Sequence, residues 1–215
     1  MNPMFKLKMV IVSIVFMAGA VWLGASGYSA TTEGRTDLLP LGSAAPKFEL
    51  PDVVKKQLVS LDQFADKKAL VVLFICRHCP YVQHVNKALA ALGHDYAGKS
   101  VGIVAISAND PAAFPEDAPE SLADMAREEG FNFPLLFDES QDTAKAYTAV
   151  ATPDIFIFDA SRKLVYRGQF DDTRPGGSEE ATGKDVRAAI DAVLNGQPVS
   201  AVQKPAVGCS IKWKN

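Results

Sequence analysis

The chain has 215 residues, 22% of them charged and 48% hydrophobic, and a formal charge of −3. That length suits one ordinary globular domain plus extras, and an acidic balance with no basic block argues against a nucleic-acid surface. Three cysteines are too few for a disulfide scaffold and more than a structural domain needs, so their placement carries the information.

The N-terminus reads as an export segment. Lys6 and Lys8 precede an apolar run from Met9 to Leu23, no acid occurs before Glu33, and Gly24, Ala25, Ser26 and Gly27 follow. A basic start, apolar middle and small-residue region is the order of a secretory signal. The run is shorter than the ~20 residues of a spanning helix, but Ala25–Ala30 extends it, so an uncleaved anchor is the alternative. Residues 1–30 are therefore assigned to a signal peptide or N-terminal anchor. The expected location is exported and periplasmic, either soluble after cleavage or tethered to the membrane. Loss of residues 1–30 removes Lys6 and Lys8 and no acid, moving the formal charge from −3 to about −5. Residues 31–46 are small, polar and proline-bearing and read as a linker.

The folded domain is expected over 47–198. Gln57–Ser60 reads as a short strand and Leu61–Phe64 as a turn of helix. Ala69–Ile75 is continuously apolar and rich in branched side chains, which suits a central strand buried on both faces. It ends at Cys76. Pro80 suits a first helical turn, and Val82, Val85, Leu89 and Leu92 follow at helical spacing as far as Tyr96. Val101–Ser107 reads as a second buried strand and Asn109–Pro119 as an inserted loop. Ser121–Glu129 reads as a helix capped by Ser121, Leu135–Phe137 as a strand, and Gln141–Tyr147 as a helix. Ile155–Phe158 and Leu164–Arg167 form a hairpin. A closing helix runs from Gly183 or Lys184 to Leu194, stopped by Asn195-Gly196 and Pro198. This order predicts an α/β fold with a mixed central sheet covered by helices on both faces. Residues 199–215 form a tail, with Ile211 and Trp213 as apolar anchors that dock it on the domain.

Cys76-Arg77-His78-Cys79 is the most specific feature of the chain. A lone C-x-x-C is either half a metal site or a redox pair. A closed zinc site wants four ligands, and only His78, His84 and the distant Cys209 remain to complete one. The redox reading has a mechanism. A buried strand that ends at a cysteine opening a helix puts that thiol where free N–H groups and the helix dipole favour a thiolate. On this reading Cys76 is the exposed, acidic nucleophile and Cys79, one turn inside the helix, resolves. Arg77 and His78 add positive charge that lowers the thiol pKa, and a stabilised thiolate makes the disulfide more oxidising. His84 and His94 are expected at the surface, and Tyr81 and Trp213 as packing residues. Asp171, Asp172 and Arg174 are read as a solvated loop with an internal ion pair.

The stretch Leu73-Phe74-Ile75-Cys76-Arg77-His78-Cys79-Pro80-Tyr81-Val82 resembles the peroxiredoxin-like branch of the thioredoxin superfamily, the redoxin (alkyl hydroperoxide reductase/thiol-specific antioxidant) group. Leu41–Pro51, Gly168–Gly176 and Gly208–Lys214 are similar to it as well, so the likeness spans about residues 40–215. It implies a thioredoxin-like fold with an extra N-terminal strand and an insertion, and thiol–disulfide oxidoreductase chemistry without a cofactor or resident metal. The implied partners are protein or small-molecule thiols and disulfides and a redox partner. In that fold a cis proline faces the C-x-x-C and exposes the preceding backbone, which makes Thr152 and Pro153 the substrate-docking candidates.

Departures from the family pattern are specific. The buried acid that thioredoxins carry six residues before the first cysteine is Leu70 here, and their tryptophan before that cysteine is Ile75. Peroxiredoxins place a threonine or serine three residues before a single peroxidatic cysteine. Aligning Cys79 with that cysteine puts Cys76 in the hydroxyl position, and no arginine stands beside Thr152. A thiol peroxidase is therefore the runner-up, and a copper- or zinc-binding carrier using Cys76, Cys79 and a histidine the third reading. Cys209 reads either as a packed, inert cysteine or as a third redox thiol that exchanges with the pair.

Overall fold

The computed structural model describes residues 38–214, so the export segment and the first part of the expected linker lie outside the described residues. β1 (Glu49–Pro51) and β2 (Leu58–Ser60) pair antiparallel, and a 3-10 turn spans Leu61–Phe64. β3 (Ala69–Phe74) is buried at every residue, and α1 (Pro80–Asp95) follows it. β4 (Val101–Ser107) leads into the insertion, which carries a 3-10 turn at Pro115–Asp117. Then come α2 (Pro119–Glu128), β5 (Leu135–Phe137) and α3 (Asp142–Ala146). β6 (Ala151–Thr152), β7 (Asp154–Phe158), β8 (Leu164–Gly168), α4 (Lys184–Leu194) and β9 (Cys209–Ser210) complete the chain.

The central sheet has the order β5-β4-β3-β7-β8. β3, β4 and β5 run parallel, while β7 and β8 are antiparallel, so the sheet is mixed. Alternation along β3 divides the core. Val71 and Leu73 face a layer built by α1, α2 and α4, whereas Leu70, Val72 and Phe74 face Tyr147, Phe156 and the N-terminal hairpin. Burial on both faces explains why β3 reads as an unbroken apolar run. β1 and β2 form a separate two-stranded sheet and do not extend the central one.

Two helix starts differ from the sequence reading for one reason. Proline disfavours the helical region at the residue before it, because its ring crowds the preceding backbone. Pro80 is the first residue of α1, so Cys79 is extended (φ −74°, ψ 121°) and is the N-cap. Cys76 therefore does not open the helix. Pro119 likewise makes Ala118, and not Ser121, the N-cap of α2.

The segment read as a linker is packed along its second half. The amides of Gly42 and Ala45 donate to the carbonyls of Leu164 and Arg162, at 2.7 and 2.9 Å, and the Leu39 amide bonds Thr148. At the other end, β9 pairs with β6 and Ile211 is buried, so the tail lies against the domain. Trp213 is 43% exposed and anchors nothing by burial.

Candidate active site

β3 delivers Cys76 to the end of the sheet, and Pro80 fixes Cys79 at the head of α1. Both thiols are fully buried, and all three cysteines are free. Thr152 lies between them. Its hydroxyl is 3.2 Å from the Cys76 sulfur, and its carbonyl oxygen is 3.1 Å from the Cys79 sulfur. The Thr152–Pro153 peptide is cis. On the far side, Cys79 Sγ is 2.8 Å from Cys209 Sγ. Register explains that approach: in the β6–β9 pair Thr152 stands opposite Cys209 and Ala151 opposite Ser210. Gly208 permits it, since a Cβ there would lie 2.0 Å from the Thr152 carbonyl oxygen.

The three thiols have unlike environments. Cys79 is drawn down to about 4, chiefly by the hydrogen bond from the Cys76 thiol. Burial opposes this, and the Cys209 thiol and the amides of Val82 and Cys209 reinforce it. Cys76 is pushed up by that same hydrogen bond, by burial and by the negative charge of Asp117. Cys209 is raised to about 11, first by burial and then by its bond to Cys79. The acidic sulfur is thus the helix-capping one, where amide hydrogens converge. Against the expectation for Cys76, neither thiol is the more exposed, and the one drawn down is Cys79, through the Cys76 thiol first.

Asp117, from the insertion, is the residue that sequence reasoning missed. Its carboxylate is fully buried and accepts the amides of Arg77 and His78 on Oδ1, at 2.8 and 3.2 Å. On Oδ2 it accepts the Asn109 side-chain amide at 2.8 Å and meets His78 Nδ1 at 2.5 Å. The His78 ring stacks on Phe114, with centroids 4.5 Å apart. Asn109 also accepts the Lys212 amide at 2.8 Å, tying the carboxylate to the tail. Arg77, expected to lower the thiol pKa, has its side chain engaged elsewhere. Its guanidinium turns to α2, donating to the Ser121 carbonyl and to Glu128. The charge that faces Cys76 is a carboxylate.

The sequence profile of the AhpC/TSA family matches residues 41–167. This chain belongs to the AhpC/TSA family. An uncharacterised conserved protein from Geobacillus kaustophilus is 50% identical to it, with a TM-score of 0.80, over 82% of this chain and 94% of that one. The hypothetical protein SMc02350 from Sinorhizobium meliloti 1021 is 48% identical, with a TM-score of 0.80, over 82% and 96% of the two chains. The thioredoxin domain of a thiol-disulfide oxidoreductase from Bacteroides vulgatus shares the fold at 22% identity and a TM-score of 0.54, over 69% of this chain and 96% of that one. No curated protein matches. The chain is a thioredoxin-like redox protein.

Other residues of this AhpC/TSA chain fall into place around the thiols. Tyr81 packs against the core, and with His84, Pro153, Phe170, Thr173 and Val207 it lines a narrow crevice beside the cis peptide. His84 is half-buried and bonds Thr173 at 2.9 Å, so it is not a free surface residue. His94 is exposed. Asp171 is buried and accepts the amides of Thr173, Thr182 and Gly183, which orders the loop before α4. It makes no ion pair with Arg174, whose guanidinium donates to the Asp171 and Thr173 carbonyls and to Gln169. Asp172 pairs instead with Lys184 at 2.7 Å. Among the described residues, Cys76, His78 and Asp117 have one ligand atom each within 4.8 Å of one another. The His78 nitrogen that meets Asp117 is engaged by that carboxylate, and Cys79 lies outside the set.

Proposed function

We propose that this protein is an exported thiol–disulfide oxidoreductase whose redox pair is Cys76 and Cys79, with Cys79 as the thiolate. The observation that carries this reading is the shared contact of both sulfurs with Thr152 at the head of α1. The exchange is reversible; written in the reducing direction, Cys79 attacks a substrate disulfide and forms a mixed disulfide, releasing one substrate thiolate. Cys76 then attacks the Cys79 sulfur, releasing the second thiolate and leaving a Cys76–Cys79 disulfide. His78, held by buried Asp117, is placed to handle the Cys76 proton in a chain whose β3 carries Leu70 where thioredoxins carry an acid. The substrates are thiols and disulfides, small or protein-borne. Export rests on the order of charge and hydropathy in residues 1–30.

The test is turnover of a model disulfide by the full chain. Cys79→Ser is expected to abolish it, and Cys76→Ser, with Cys209 also replaced by serine, to abolish it while accumulating mixed disulfides on Cys79. Normal turnover by Cys79→Ser overturns the assignment. Sequencing the N-terminus of protein recovered from the periplasm tests export: a start between residues 25 and 35 supports a cleaved signal.

A second reading, thiol peroxidase, draws on the same acidic Cys79. A hydroperoxide would oxidise it to the sulfenic acid, releasing an alcohol or water, and Cys76 would condense with that acid. Hydroperoxide consumption coupled to a dithiol distinguishes the two activities.

A further inference from the structure

The edge beside Thr152, expected to stay open for a substrate, is occupied by the chain's own β9. The tail is clamped there. Its Lys212 carbonyl accepts the Asp110 amide and the Gln141 side chain, both at 2.9 Å, and its Lys214 amide donates to Gln141 at 2.8 Å. With β9 in place Cys76 and Cys79 have no exposed surface, whereas Cys209 is half-buried. The one partly exposed cysteine of the site therefore touches the reactive sulfur, at 2.8 Å. A disulfide bond is ~2.05 Å long, so closure asks for a movement of under about 1 Å.

We propose that Cys209 is a third redox thiol of this site, forming with Cys79 a second disulfide that interchanges with Cys76–Cys79. The inference rests on the reading of Cys76–Cys79 as the redox pair and adds the route by which electrons reach it. In the interchange, the Cys209 thiolate attacks the Cys79 sulfur of the Cys76–Cys79 disulfide. The Cys79–Cys209 bond forms as the Cys76–Cys79 bond breaks. Cys76 departs as thiolate and takes up the proton that Cys209 gave up. One disulfide is present before and after, so no outside oxidant is consumed. Cys79 is the common sulfur of both bonds: it touches Cys209 directly and shares Thr152 with Cys76. The product places one sulfur of the oxidised bond at the surface. Thiols too large to enter the buried pair meet Cys209 there, and Thr152 need not give up β9.

The experiment equilibrates the full chain in glutathione buffers, quenches with acid, alkylates the remaining thiols and maps the disulfides. Wild-type protein is expected to contain both Cys76–Cys79 and Cys79–Cys209. Cys76→Ser is expected to form Cys79–Cys209 within one chain, Cys209→Ser to form Cys76–Cys79, and Cys79→Ser to form no bond within the chain. The third-thiol proposal is overturned when Cys76→Ser keeps two alkylatable thiols, or bonds only between chains, in buffers that oxidise Cys209→Ser fully. It is also overturned by a Cys76–Cys209 bond in Cys79→Ser, which would remove Cys79 from the centre. Failure of the redox-pair reading looks different: Cys209→Ser stays reduced while Cys76→Ser still closes Cys79–Cys209.

Discussion

His78 Nδ1 meets the carboxylate of Asp117 at 2.5 Å, and the carboxylate is completely buried. Four groups from two segments converge on it: two amides and the His78 ring of the C-x-x-C loop, and the Asn109 side chain. The insertion thereby holds the loop between the two cysteines in one shape.

Removing that carboxylate leaves the loop amides and the Asn109 side chain without their acceptor. Asp117→Ala is expected to lower the unfolding free energy by about 3–5 kcal/mol. Asp117→Asn keeps an acceptor oxygen and should cost less. Because the Asp117 charge pushes the Cys76 thiol up, Asp117→Asn should also make Cys76 more acidic. Urea titration measures the first effect, and thiolate absorbance against pH in a Cys79→Ser background the second. A stable Asp117→Ala protein with unaltered thiols would reduce the insertion to a surface loop.

Cys79 sets a pH dependence of stability. Its folded value of about 4 lies below the ordinary unfolded thiol value of about 8.5. A depressed acid stabilises the fold fully above the unfolded value, and that contribution is lost as pH falls through the folded one. Reduced wild-type protein should therefore gain stability over Cys79→Ser as pH rises from about 4 to about 8.5. Thermal midpoints of the two reduced proteins across that window give the difference. Parallel curves would mean that Cys79 is an ordinary thiol.

Much of this arrangement is legible in the sequence. The apolar run of β3, the helical spacing of α1 and the Thr152-Pro153 dipeptide each carry a local signal. The start of α1 is not at Cys76, where the sequence reading puts it, because Pro80 disfavours a helical Cys79. Asp117 was not legible: it lies 40 residues beyond Arg77, in a loop of Pro, Asp and Ala, and only the folded chain brings it under the cysteines. Cys209 is farther still, 130 residues from Cys79, and pattern alone carries no distance between them.

Gly208 governs whether the tail docks. A Cβ at this position would run into the Thr152 backbone, which β6 and β9 hold fast. Gly208→Ala is expected to push β9 from its edge, at a cost of about 1–3 kcal/mol. Cys209 should then alkylate faster, and the Cys79–Cys209 bond should form less readily, while Cys76–Cys79 still closes. Timed alkylation with peptide mapping reads both. An unchanged Cys209 rate would show that the tail tolerates the methyl group.

The most direct measurement is the equilibrium of the Cys76–Cys79 couple itself, in the full-length Cys209→Ser protein titrated against glutathione. A single two-electron transition joining Cys76 to Cys79 is expected. Its potential should lie nearer the ~−120 mV of a strong oxidant than the ~−270 mV of thioredoxin, because a stabilised thiolate favours the reduced form. Two thiols that stay free, or that bond glutathione independently without joining each other, would contradict the account.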